Sequence, residues 1–133
     1  MKVLRDAAGC HFDVPLILDL GWAQLQNHFP AESHIFLADS SSTSPSVVDY
    51  IQPDYAKCSH VVLVVGGETE GLSKSACQLC ASSWWQTQRI HIPMSFGINS
   101  LNSAVSASVI LCEMWRQMTV DRDTELRQPI NSE

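Results

Sequence analysis

The sequence is short of charge, and shorter still of positive charge. Charged residues make up 17%, against roughly 25% in an average soluble domain. Lys and Arg number 8 and Asp and Glu 14, for a net charge of −6 with His neutral. That balance argues against a chain that grips nucleic acid by its own surface, because phosphate neutralisation supplies much of such affinity. Any RNA grip is expected from another segment or subunit. Long apolar runs are missing too: none approaches the ~20 residues of a membrane-crossing helix. Met1 to Asp6 have none of the features of a secretory signal or a transit peptide. The five cysteines (Cys10, Cys58, Cys77, Cys80, Cys112) are odd in number and irregularly spaced, which excludes a closed disulfide framework and points to a reducing compartment. Internal repeats are lacking as well.

What remains is apolar and of one-domain size. The chain has 133 residues, 45% of them hydrophobic, enough for one core and not for two domains. Pro15 to Leu20 is a short apolar run ending at Gly21 and predicts a buried strand. Trp22, Leu25 and Phe29 fall at helical spacing before Pro30 and predict a helix over 22–29. His34 to Asp39 reads as a second strand. Ser40 to Ser46 is a Ser/Thr/Pro loop, and Val47 to Lys57 fits either an irregular linker or a helical turn. Val61 to Val65 runs without alternation into Gly66-Gly67, predicting the strongest strand, buried on both faces. A helix over 73–81 follows, with Ser73 as N-cap. Arg89 to Met94 predicts a strand. Leu101, Val105, Val109, Cys112 and Trp115 predict one apolar stripe on a helix over 100–118. The polar tail, 119–133, is expected to fray. Alternating strands and helices give an α/β class with a mainly parallel sheet.

Two segments carry the chemistry. In the first, a strand ends in Gly66-Gly67-Glu68-Thr69-Glu70-Gly71-Leu72 and a helix begins. Ligands of parallel sheets bind outside the carboxyl ends of the strands, and glycines there let backbone approach a ligand. The same glycines also suit a turn that needs them for geometry alone, and the segment by itself leaves both readings open. Its spacing is not the dinucleotide fingerprint. In the second, Ile90 to Asn102, another strand end passes through a loop to Ser100 and Asn102 at a helix entrance, where backbone N–H groups are free. Taken alone, Ser100 or Asn102 is simply an N-cap.

Taken together, in this order and strand–loop–helix context, the segments resemble a known family. Gly66-Gly-Glu-x-x-Gly-Leu72, Ile92-Pro-Met94 and Ser100-Leu-Asn102 are similar to motifs two and three of the SpoU (TrmH-like, SPOUT) RNA 2′-O-ribose methyltransferases, and Ala104 to Gln117 is similar to the family's C-terminal helix. Lys2 to Pro15 resembles the stretch between motifs one and two, so the likeness runs from about Lys2 to Met118, residues 1–118 forming the C-terminal portion of the domain. Within the family the chain is most like the animal mitochondrial large-subunit rRNA subgroup.

The resemblance implies a C-terminal trefoil knot, rare among proteins, and S-adenosyl-L-methionine as cofactor. It implies backbone contacts to that cofactor from Gly66, Ile92 and Leu101, and a pocket shaped by Gly67, Gly71 and Met94. It links Glu68, Ser100 and Asn102 to activity: Glu68 and Asn102 as organisers of the loops, Ser100 touching the methionine carboxylate or the RNA. It implies an rRNA or tRNA substrate, rRNA being the better match, a mitochondrial or otherwise cytoplasmic site, no secretion and a homodimer. Motif one, whose Arg is the family's proposed proton-removing group, lies upstream of the stretch matched by Lys2 to Pro15, which implies an N-terminally truncated domain. Arg5 does not replace it, since its neighbours match a different segment. A non-catalytic binding or dimerisation module, or an unrelated α/β nucleotide binder, are the alternatives.

Other features read as architecture. Cys77-x-x-Cys80 has no second pair or placed His, so two small residues on a helix is the better reading than zinc, and the five histidines form no metal spacing. Trp84-Trp85 fits base stacking, but core packing is favoured. Met114, Trp115 and Met118 are expected to be exposed and to suit the dimer contact.

Overall fold

The computed structural model describes residues 8–40, 45–67, 69–82, 85–98 and 100–126. Four parallel strands form the sheet: β1 (Ser33–Ala38), β2 (Val47–Asp49), β3 (His60–Val65) and β4 (Gln86–His91), in the order β2-β4-β1-β3. The strand formed last in the sequence thus lies between the first two. A short helix α1 (Trp22–Leu25) precedes the sheet, α2 (Lys74–Ser82) links β3 to β4, and α3 (Ser103–Leu126) follows β4. This is the α/β class with a parallel sheet that the alternating pattern predicts.

β1 organises the core. Its register sets Ala38 beside both Val65 of β3 and Ile90 of β4, and its alternating side chains feed two faces. Phe36 packs with Tyr55, Ile90, Ile110 and Met114 under α3. Ile35 and Leu37 pack on the other face with Cys80 and Trp85, near α2. The Phe36 and Tyr55 rings meet edge to face at 4.9 Å. Tyr55 lies in a 3₁₀ turn, Tyr55–Lys57, and is fully buried. Its N–H donates to Gln117 Oε1 at 2.9 Å and its hydroxyl donates to Tyr50 O, so the turn is clamped between β2's exit and α3.

Several expectations change. Pro15–Leu20 is not a strand: it is irregular, and Val14, Leu16, Ile17 and Leu18 are all more than half exposed. A strand needs a ladder partner, and among the described residues none reaches this run. Val61–Val65 does form a strand, but at the sheet edge and only half-buried; the strand buried on both faces is the shorter apolar run in β1. The α1 helix stops at Leu25, short of the expected Phe29. β4 begins three residues before Arg89 and ends at His91, because pairing with β1 starts at Gln86.

The long helix also differs. It starts at Ser103 and runs to Leu126, past Met118. Its buried residues are Ile110 and Met114, not the predicted stripe: Val105, Cys112 and Trp115 face outward, and Leu101 and Val109 are half-buried. Met114 is 4% exposed and Trp115 68%, so Met114 belongs to the core and not to an outer contact, and Met118 packs half-buried against the same cluster. Trp85 packs on Phe29 at 5.7 Å between ring centres, as core packing predicts; Trp84 lies outside the described residues. The helix expected from Ser73 is present, and Ala76 N–H donates to Ser73 Oγ at 3.1 Å.

Candidate functional site

Because all four strands are parallel, their carboxyl ends share one edge, where side chains and loops converge. β1 ends at Ala38, β3 at Val65 and β4 at His91. Just beyond them opens a cleft of about 580 Å³.

The wall after β3 is built by glycine. Gly67 and Gly71 form a closed antiparallel bridge, exchanging N–H···O bonds of 3.1 and 3.0 Å. Gly71 closes it with φ +64°, a left-handed conformation that costs glycine little and most residues considerably more. The bridge presses Gly66 against the returning chain. A Cβ on Gly66 would lie 2.5 Å from the Gly71 carbonyl oxygen and 2.6 Å from Leu72 N. Thus Gly66 and Gly71 are required by the loop itself, which answers part of the question the sequence left open: geometry demands these glycines whether or not a ligand binds. Glu68, between them, lies outside the described residues.

The opposite wall comes from the chain after β4. Ile92 and Met94 line the cleft, and so do Ser100 and Leu101 at the approach to α3. Asn102 does not line it. Its side-chain oxygen accepts N–H bonds from Ala104 at 2.9 Å and Val105 at 3.4 Å, so it caps α3 as Asn does at helix starts. The two walls are fastened together by Ser103, whose hydroxyl donates to Gly66 O at 2.8 Å. Glycine loop and helix start therefore hold a fixed separation.

The structure also places residues here that the motifs did not single out. Arg89 Nη1 donates to Asp39 Oδ2 at 2.9 Å, and Nη2 approaches Cys77 Sγ at 3.7 Å. All three line the cleft. The pair ties the ends of β1 and β4 from neighbouring strands. Asp39 at the carboxyl end of a predicted strand was the available signal; its partner depended on β4 lying beside β1, which no local pattern records. Cys77 and Cys80 are free thiols. Burial, with a smaller contribution from Cys77, pushes the Cys80 thiol up, which disfavours the thiolate a metal requires. Among the described residues no cluster of three or more His, Cys, Asp or Glu is arranged to hold a metal, and no helix is long and apolar enough to cross a membrane.

Comparison with known proteins gives this arrangement a family. Residues 1–112 match the SpoU rRNA Methylase family model. Mitochondrial rRNA methyltransferase 3B of Danio rerio is 30% identical over 169 aligned positions, covering 89% of this chain and 38% of that protein. The human mitochondrial rRNA methyltransferase 3 is 29% identical, covering 88% and 37%. The chain thus spans well under half the length of these curated relatives. The alignment to the zebrafish protein is longer than the 133 residues of the chain, so that relative carries residues inside the matched region that this chain lacks. Among solved structures, the SpoU methyltransferase AviRb of Streptomyces viridochromogenes in complex with AdoMet superposes with a TM-score of 0.65 at 25% identity, covering 90% of this chain and 45% of that one. A structure described as concerning 2-OH methylation of C/U34 on tRNA gives 0.55 at 25% identity, covering 74% and 57%. With its sequence match over most of its length and its parallel sheet superposing on these enzymes, the chain belongs to the SpoU rRNA methylase family.

Proposed function

We propose that this chain carries the S-adenosylmethionine-binding portion of an RNA 2′-O-ribose methyltransferase that acts on mitochondrial rRNA as a homodimer. The observation that carries the reading is the cleft at the sheet's carboxyl edge. There the glycine loop after β3, the Ile92–Met94 segment and the approach to α3 converge on a volume typical of small-molecule sites. Gly66, Gly67 and Gly71 line it without side chains, which fits close approach of a flat adenine to backbone.

In this reading backbone groups of Gly66, Ile92 and Leu101 hold the adenine, while Gly67, Gly71 and Met94 shape the pocket. Ser100 is exposed on the cleft wall and contacts the methionine carboxylate or the RNA. Glu68 and Asn102 order the loops, and the capping bonds of Asn102 support that role. When bound, the cofactor supplies an electrophilic methyl group on a sulfonium centre. The residues named here bind and position, which supplies much of a transfer rate; none of them is assigned the removal of the hydroxyl proton. Insertion of β4 between β1 and β2 supports a threaded, trefoil-knotted chain. The methyltransferase domain extends over residues 1–118. The outward apolar face of α3, with Leu111 and Trp115 more than half exposed, supports a dimer contact there.

Calorimetric titration of the full chain with S-adenosylmethionine tests the cofactor reading. We expect a micromolar Kd, about −8 kcal/mol, and loss of binding in Gly66→Ala, whose methyl displaces the Gly71–Leu72 backbone. A chain with a cooperative melt and no heat of binding would sink it. For the 2′-O specificity, nuclease mapping of RNA methylated from labelled cofactor should place the label on ribose; label on a base would rule that specificity out.

A further inference from the structure

Among the described residues, the carboxylates of Asp39 and Glu70 line the cleft, and the fold treats them differently. Glu70 is exposed on the glycine loop. The Asp39 side chain is 16% exposed and the residue is held twice. Its N–H donates to Ile90 O at 2.9 Å, carrying the β1–β4 ladder just past the end of β1. Its Oδ2 accepts from Arg89 Nη1 at 2.9 Å, and Arg89 is steadied in turn by Cys77. An acceptor fixed through both backbone and side chain is preorganised for a ligand, with little left to order on binding.

The register says which part of a ligand lies there. Ala38 pairs with Val65, so Asp39 and Gly66, the next residues along, leave the sheet side by side. In the reading above, Gly66 backbone holds the adenine. The ribose is joined directly to adenine, so its vicinal hydroxyls are the nearest donors to Asp39. Charge points the same way. Arg89 already balances the carboxylate, so a neutral hydroxyl suits it better than the ammonium at the far end of the methionine. A carboxylate offers about four acceptor sites over its two oxygens, so it can hold the arginine and the diol together. Acidic side chains also take ribose hydroxyls in dinucleotide-binding folds, whose topology differs from this one.

We propose that Asp39 recognises the ribose of S-adenosylmethionine: its carboxylate accepts hydrogen bonds from the 2′- and 3′-hydroxyls, and Arg89 is the positioning residue that fixes the carboxylate. This rests on the cofactor-binding reading above and extends it to a side chain outside the motif segments.

The test is calorimetric titration of the full chain with S-adenosylhomocysteine, the demethylated cofactor, and with its 2′,3′-dideoxy analogue, read as the ratio of the two Kd values. The wild type is expected to bind the analogue at least about tenfold more weakly. In Asp39→Ala the ratio should fall to about one, through weaker binding of S-adenosylhomocysteine and little change for the analogue. Asp39→Asn, which keeps the volume and one acceptor oxygen, should narrow the ratio. Arg89→Met should narrow it as well, with affinity for the analogue unchanged, because the arginine acts through Asp39. A ratio near one in the wild type overturns the assignment and leaves the cofactor reading standing. So does a ratio preserved in Asp39→Ala or Asp39→Asn that melts cooperatively. An unchanged ratio in folded Arg89→Met overturns the positioning role. A folded wild type that binds neither compound overturns both this proposal and the cofactor reading.

Discussion

The two faces of α3 are built from the same kinds of residue and meet opposite fates. Ile110 and Met114 are 1% and 4% exposed, whereas their neighbours Leu111 and Trp115 are 53% and 68% exposed. Hydrophobicity does not separate them, since apolar residues surround this part of the helix. What separates them is an anchor: Gln117 accepts the N–H of Tyr55, and Phe36, Tyr55 and Ile90 form the floor on which the inner face sits. A helix apolar on both sides is rotated into place by its polar contacts and by the shape beneath it, and the side left over is available to a partner.

Substitutions can sharpen or break this contrast. The largest effect is expected inside: Met114→Ala should destabilise the chain by about 2–5 kcal/mol through lost burial and a residual cavity, read as a lowered midpoint in chemical denaturation. A shift as small as that of a surface change would mean the inner face is not core. Next comes the start of the helix. Asn102→Ala removes the acceptor for Ala104 and Val105 N–H and should cost about 1 kcal/mol. If Asn102 serves only α3, cofactor affinity survives that loss in the folded variant; if it also orders the cleft loops, titration will show binding weakened beyond the change in stability.

The outer face should behave differently. Trp115→Ala is expected to move stability by no more than about 0.5 kcal/mol at concentrations where the chain is monomeric, while weakening the proposed dimer contact in sedimentation. A large loss of monomer stability would erase the distinction between the faces. The smallest effect concerns Glu113, beside the core face. Hydrogen bonds from Arg116 and then Gln117 hold its carboxyl at about 2, below the ordinary 4.5. With the folded value depressed, its contribution is full above about pH 4.5 and is lost as pH falls toward 2. The Arg116 side chain is largely solvated although Glu113 is only 13% exposed, so screening through the arginine keeps the effect small. The melting temperature of Glu113→Gln should approach that of the wild type between pH 4.5 and 2, and parallel curves would show that Glu113 contributes nothing.

The sheet repeats the lesson of the helix. His34 to Asp39 looked the lesser strand and is an interior one; Val61 to Val65 looked central and lies at an edge. Both are apolar enough for either place, and a local run cannot say which strand will lie between two others. Pro15 to Leu20 is the extreme case, a run with strand composition and no neighbour to pair with. The motif loops were far more legible. A strand followed by Gly-Gly and a later Gly predicted a tight turn, and the turn is there with Gly71 at positive φ. What the motifs did not show was the Ser103 bond across to Gly66 or the Arg89–Asp39 pair, because each joins elements remote in sequence.

By itself, then, the sequence determined the class, the glycine loop, the caps at Ser73 and Asn102 and the order of the motifs, since these depend on residue periodicity and on backbone freedom within a few positions. Only the tertiary structure decided which strand is central, which side of α3 is buried and which residues share the cleft. Those outcomes depend on pairing between distant segments, where the order β2-β4-β1-β3 sets the carboxyl ends of β1, β3 and β4 side by side.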